Sequence, residues 1–110
     1  MGFADDRMYE LHAEVCRALG HPVRMKVLDL LRQGEQCVCR LAPAVGVSES
    51  NLSQLLAALR RAGIVATRRQ GHWIYYSVRD PRIFAIIDEM RAIIADQLAR
   101  AQNAAIALQA

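Results

Sequence analysis

Apolar residues recur at helical spacing over most of the chain, and one stretch breaks that rhythm with β-branched and aromatic residues. Met8, Leu11, Val15 and Ala18/Leu19 follow the i, i+3, i+4, i+7 rule, with Asp5 or Asp6 placed to cap the start and Gly20 to stop the helix. Pro22 suits the first turn of a second helix, where Val23, Val27, Leu28, Leu30 and Leu31 make a broad core stripe up to Gly34. A short helix is predicted over 38–45 with Leu41, Ala44 and Val45 inward, followed by a tight turn at Gly46-Val47. Ser48 then caps a helix over 48–62, with Leu52, Leu55, Leu56 and Leu59 inward and Gly63 as its stop. Short helix, glycine turn and capped helix together read as a helix-turn-helix. Residues 64–69 and 73–78 read as strands around Gln70-Gly71-His72, a hairpin placed as a wing. Asp80-Pro81 opens a last long helix in which Ile83, Ile86/Ile87, Met90, Ile93/Ile94 and Gln97/Leu98 repeat as a partner seam. The wing does not need so long an apolar helix to cover it, so a homodimer is expected, its interface formed by the first and last helices. The Ala-rich tail after Gln102 is expected to fray.

Composition supports this outline. The chain has 110 residues, 54% of them hydrophobic but only 5% aromatic, which suits packed helices in a single domain over 1–110. The fold class that follows is mostly α (α+β): a winged helix-turn-helix of about five helices with a two-stranded hairpin. The net charge is +3, and the cations comprise thirteen arginines and one lysine, Lys26. Arginine forks match phosphate and base edges, so the charge leans toward a nucleic-acid partner. No apolar run is long enough to span a bilayer, and residues 1–7, with Asp5 and Asp6, lack a signal-peptide layout, so a cytoplasmic protein is expected. The chain has 3 cysteines, an odd number that argues against a disulfide framework and for metal binding or thiol reactivity.

Four segments together resemble the ArsR/SmtB family of winged-helix repressors. They are Leu19-Gly-His-Pro-Val-Arg-Met-Lys-Val-Leu, Cys37-Val-Cys-Arg-Leu-Ala, the run from Val47 through Ser-Glu-Ser-Asn-Leu-Ser-Gln to Ala-Gly-Ile-Val65, and Arg69-Gln-Gly-His-Trp-Ile-Tyr-Tyr-Ser-Val. The resemblance covers about residues 11–98. It implies a dimer that sits on operator DNA and leaves when a toxic metal or metalloid, or in some members a reactive sulfur or oxidising species, meets its cysteines. Two departures qualify it. Arsenite-sensing members carry a third cysteine where this chain has Ala42, and an Asp where it has Arg40. Zinc-sensing members use Asp, Glu and His on the last helix, which here offers Asp88, Glu89 and Asp96 but no histidine.

Soft thiolates select thiophilic ions, so a cysteine site points to arsenite or antimonite, with cadmium, lead or mercury as further candidates. Cys37 and Cys39 can hold a two-coordinate ion, and Cys16 is the third ligand available, from the same subunit or its partner; His12, one turn earlier, is a fallback fourth. Residues two apart on a helix are rotated by about 200°, so the pair can share one ion only if the helix start loosens, and that distortion is the expected switch. Cysteines at a helix start beside Arg17 or Arg40 are also suited to oxidation or persulfide formation. If Cys16 is not a ligand, it is expected as a small buried apolar residue.

For DNA, the helix after Ser48 leaves Glu49, Ser50, Asn51, Ser53 and Gln54 outward at its N-terminal end. Asn51 and Gln54 suit adenine edges, and Ser48, Ser50 and Ser53 suit phosphates. Arg68, Arg69 and His72 cluster at the wing tip for phosphate or minor-groove contact, while Arg60 and Arg61 equally complement the helix dipole. Trp73 or its neighbours are expected to pack into the core, and His21 to belong to the helix start. The leading function is a homodimeric repressor released from operator DNA by a thiophilic ion. The alternatives are a thiol-redox or reactive-sulfur sensor of the same fold and a non-sensing winged-helix regulator. An enzyme is not expected, because the chain offers no βαβ scaffold, no phosphate loop and no nucleophile-base pair.

Overall fold

The computed structural model describes residues 5–109. They form α1 (Asp6–Leu19), α2 (Pro22–Leu30) with a 3-10 turn (Leu31–Gln33), β1 (Gln36–Cys37), α3 (Val38–Val45), α4 (Glu49–Arg61), β2 (Val65–Gln70), β3 (Trp73–Val78) and α5 (Arg82–Gln109). The chain divides into two compact units, Met1–Asp80 and Pro81–Ala110.

In the first unit, local chemistry sets the helix limits. Asp5 Oδ1 accepts the Met8 N–H at 2.9 Å and so caps α1. His21 caps α2 through Nδ1, which accepts the Val23 N–H at 3.1 Å, with Pro22 in the first turn. Ser48 Oγ accepts the Asn51 N–H at 3.1 Å and starts α4. Between α3 and α4 the chain must reverse, and Gly46 does so at φ 77°, a left-handed conformation that any Cβ would disfavour.

The core gathers around α4, which touches α1, α2, α3 and β2. Leu52, Leu56 and Leu59 of α4 are fully buried, along with Val27 and Leu28 of α2 and Leu41 of α3. Leu55 and Val45 are only half-buried, and Ala44 faces solvent while Ala42 takes the inner position. That exchange fits a helix whose buried arc runs through Val38, Leu41 and Ala42. On α1, Met8 and Leu11 are exposed, and only the C-terminal Ala18 and Leu19 are buried.

The sheet has three strands where a two-stranded hairpin was expected. Its order is β1-β3-β2, antiparallel throughout, with Gln70 opposite Trp73 across a turn at Gly71 and His72. Gln36 lies opposite Tyr76 and Cys37 opposite Tyr75. β1 is fixed at its root by the Gln36 side chain, whose Nε2 donates to the Leu30 carbonyl at 2.7 Å. Tyr76 is the aromatic buried on β3; Trp73, also considered for the core, is 52% exposed at the strand start.

The second unit is α5, 28 residues long, or about 42 Å at the helical rise. The helix continues past Gln102, where a frayed tail was expected, to Gln109; residues 103–109 are alanine, asparagine, isoleucine, leucine and glutamine, with no glycine or proline. Ile87 is buried, whereas Ile86, Met90, Ile93, Ile94 and Leu98 are exposed. No helix among the described residues is long and apolar enough to cross a membrane.

Because Leu56 is sealed on all sides, Leu56→Ala is expected to cost about 2–5 kcal/mol. Urea unfolding should show this as a lower midpoint with an unchanged slope.

Candidate nucleic-acid interface and thiol pair

The polar residues of α4 divide between two flanks. Ser53 shares a cleft of about 380 Å³ with Arg60 of the same helix and Thr67, Arg68 and Arg69 of β2. Asn51 and Gln54 line the opposite flank with Arg24, Val47 and Leu55. Ser50, Asn51, Gln54, Arg69 and His72 are exposed, and none of these side chains has a hydrogen bond or ion pair among the described residues. The Ser48 oxygen is used by the cap, which leaves its hydroxyl proton free to donate.

Two arginines close to this surface, Arg24 and Arg68, are committed within the fold. Arg24 donates from Nε to the Leu55 carbonyl at 2.8 Å and from a terminal nitrogen to the Arg17 and Ala18 carbonyls at 3.4 and 3.5 Å, fastening α2 to α4 and to the end of α1. Arg68, taken from the sequence as a DNA contact, is held by Glu35 at 2.7 Å from a terminal nitrogen and at 3.1 and 3.2 Å from Nε. It also donates to Gln70 at 2.8 Å and lies over the Tyr75 ring at 4.6 Å. The Arg68 hydrogen bond holds the Glu35 carboxyl below its usual value, and Glu35 in turn raises the Arg68 guanidinium. Sequence reasoning missed Glu35 and Tyr75, because the partners of Arg68 become visible only once β1 is known to join the sheet.

The thiol pair lies on the same row of the sheet. Cys37 sits opposite Tyr75, and Tyr75 sits opposite Arg68. Cys37 is extended (φ −69°, ψ 142°) and caps α3, its Sγ accepting the Cys39 N–H at 3.1 Å. Because Cys37 lies outside the helix, the expected 200° divergence does not arise. Its Cα is 5.1 Å from that of Cys39 and the two sulfurs form a disulfide, with no loosening of α3. Although no disulfide framework was expected, this single bridge joins the closest pair. Cys37 is 5% exposed, so it is buried and not the surface thiol its position suggested; Cys39 is half-buried.

Cys16 is exposed on α1, not buried as a small apolar residue. No group of three or more His, Cys, Asp or Glu residues suited to a metal forms among the described residues, so the fold does not bring Cys16 or His12 to the pair within one chain. Within the chain, the donor set for a soft ion is the reduced Cys37 and Cys39 alone.

A helix-turn-helix packed on the core by its leucines, a polar α4 surface beside the exposed Arg60 and Arg69 and a hairpin next to it define a winged-helix DNA-binding fold. Residues 21–67 match the model of the bacterial regulatory protein, arsR family. Over 89 residues the chain is 42% identical to Rv0081, an uncharacterized HTH-type transcriptional regulator of Mycobacterium tuberculosis, covering 80% of this chain and 78% of that one. The crystal structure of Rv0081 superimposes with a TM-score of 0.76 at 40% identity, covering 86% of this chain and 96% of the other. An arsenic resistance transcriptional regulator of Pseudomonas putida is 40% identical over 81 residues, 74% of this chain and 62% of its own. The homodimeric winged helix-turn-helix domain of a possible ArsR-family regulator from Mycobacterium bovis, solved by NMR, aligns at a TM-score of 0.72 and 33% identity, covering 90% and 94% of the two chains. The chain belongs to the arsR family and is a winged-helix transcriptional repressor, not an enzyme.

The Glu35 carboxylate stabilises the wing only while ionised. Since its folded value is depressed, that stability is complete above the unfolded carboxylate range and is lost as pH falls through the lower folded value. Melting temperatures of wild type and Glu35→Gln should therefore differ at neutral pH and converge as pH falls through the carboxylate range. A gap that stays constant with pH would mean that the ion pair does not anchor the wing.

Proposed function

We propose that this repressor reads its operator with α4 and the wing and is released through the Cys37–Cys39 pair. One observation carries the reading. Cys37 belongs to the sheet that contains the wing and caps the first helix of the helix-turn-helix, so a change at its sulfur acts on both elements. In reduced form the two cysteines offer soft thiolates to a thiophilic ion, arsenite or antimonite first, with cadmium, lead and mercury as further candidates. The arsenic resistance regulator of Pseudomonas putida supports that choice. Cys16 completes a three-sulfur set only if it comes from the other subunit.

The disulfide favours a second reading, in which the same pair cycles between dithiol and disulfide and reports oxidants or reactive sulfur. In both readings Asn51 and Gln54 contact base edges, and Ser48, Ser50, Ser53, Arg69 and His72 contact the backbone, with Arg60 added from the cleft it shares with Ser53. Arg68 joins them only by exchanging Glu35 for a phosphate.

Operator titrations test this directly. Gln54→Ala should cost about 1–3 kcal/mol and relax one base position, whereas Arg69→Ala should weaken all sequences alike and lower the salt slope by about 1. Reduced wild type should lose about ten-fold or more in affinity with arsenite, which needs about 1.4 kcal/mol of differential binding, while Cys37→Ser and Cys39→Ser bind DNA and ignore arsenite. Release of both variants by arsenite would refute the pair as the effector site.

We also propose that the exposed apolar row of α5, together with α1, joins two copies; the similar Mycobacterium bovis domain is homodimeric. Sedimentation should find a dimer for wild type and a monomer for Ile93→Asp.

A further inference from the structure

A cleft of about 510 Å³ opens beside the thiol pair; both Cys37 and Cys39 border it, with Glu35, Arg40, Trp73 and Tyr75. Its two sulfurs are unequal. Cys37 lies under the ladder at 5% exposure, while Cys39 is half-buried. Its charges are unequal too. The Glu35 carboxylate is occupied by Arg68, whereas the exposed Arg40 side chain, next in sequence to Cys39, has no hydrogen bond or ion pair among the described residues. The indole of Trp73, 52% exposed, forms an apolar wall on the same cleft.

We propose that this cleft receives a small thiol bearing a carboxylate, and that Cys39 is the sulfur it attacks. The proposal rests on the dithiol–disulfide reading of the pair. The incoming thiolate forms a bond to Cys39 Sγ and the bond between Cys39 and Cys37 breaks. The electron pair leaves on Cys37 Sγ, toward which the Cys39 N–H already points. A second thiolate then attacks the small molecule's sulfur in the mixed disulfide, freeing Cys39 as a thiolate. Two small thiols are thereby oxidised to one disulfide, and the protein pair gains the two electrons. Arg40 pairs with the carboxylate and Trp73 covers the chain of the small molecule, which makes Cys39 a site of reversible S-thiolation.

The test uses the full oxidised chain with 3-mercaptopropionate or cysteamine at equal thiolate concentration, quenched in acid and mapped by peptide mass. Mixed disulfide is expected on Cys39 in about ten-fold excess over Cys37. The anionic thiol should react about three-fold faster than the cationic one, and Arg40→Ala should erase that advantage. An adduct mainly on Cys37, or an advantage that survives in Arg40→Ala, overturns the proposal. A second arm loads the remaining cysteine of the pair in a Cys16→Ser background: with the oxidised form of 3-mercaptopropionate, Cys16→Ser/Cys37→Ser should load about ten-fold faster than Cys16→Ser/Cys39→Ser, and equal rates also overturn it. These readouts are adduct masses, so operator binding that ignores oxidation would defeat the dithiol–disulfide reading without moving the position of the adduct.

Discussion

The fold depends on one residue serving two hydrogen-bonded frames. Cys37 must be extended to pair with Tyr75 and must also cap α3, and the conformation at φ −69° and ψ 142° meets both needs. No linker separates β1 from α3, so the sheet and the helix-turn-helix share a backbone position with no slack between them. Pro43 adds to the effect by removing the N–H that would bond the Cys39 carbonyl within α3. The first turn of α3 is therefore held from the cap side and the sheet, and the thiol chemistry sits at that hold.

Charge is organised in the same economical way. Arg68 looks from sequence like a cation for DNA, yet it locks the wing to the segment before Cys37, while Arg24 closes a helix junction on backbone carbonyls. Such exposed pairs weaken with salt, but the fork geometry and the Tyr75 ring fix the direction of the Arg68 side chain. The cations left beside the α4 surface are Arg60 and Arg69, on either side of one cleft. Net charge alone does not distinguish these two kinds of arginine.

What the sequence shows is what depends on near neighbours. Asp5, Ser48 and Gly46 bound their helices through contacts within a few residues, and the Gly71-His72 turn sets the hairpin register, so these elements can be read directly. β1 is different. A strand of two residues has no period to detect, and its partner lies on β3, nearly forty positions later in the chain. Missing it hid the Glu35–Arg68 bridge and left Cys37 without a frame of its own; only if Cys37 were helical, like Cys39, would the pair have needed unwinding. The outward polar set of α4 was legible because the helix buries its leucines and leaves the remainder, but the division of that set between two flanks follows from tertiary packing.

Ser48 has a consequence beyond its place as a cap. By accepting the Asn51 N–H it orders the first turn of α4 in the free protein, so the side chains that meet DNA start from a backbone already set. Little conformational entropy is then lost on docking, and the lifetime of a complex is governed by the contacts made rather than by refolding of the reading head. Under the reading proposed above, a change at the Cys37–Cys39 pair would then act on a helix that is already ordered and need not refold it.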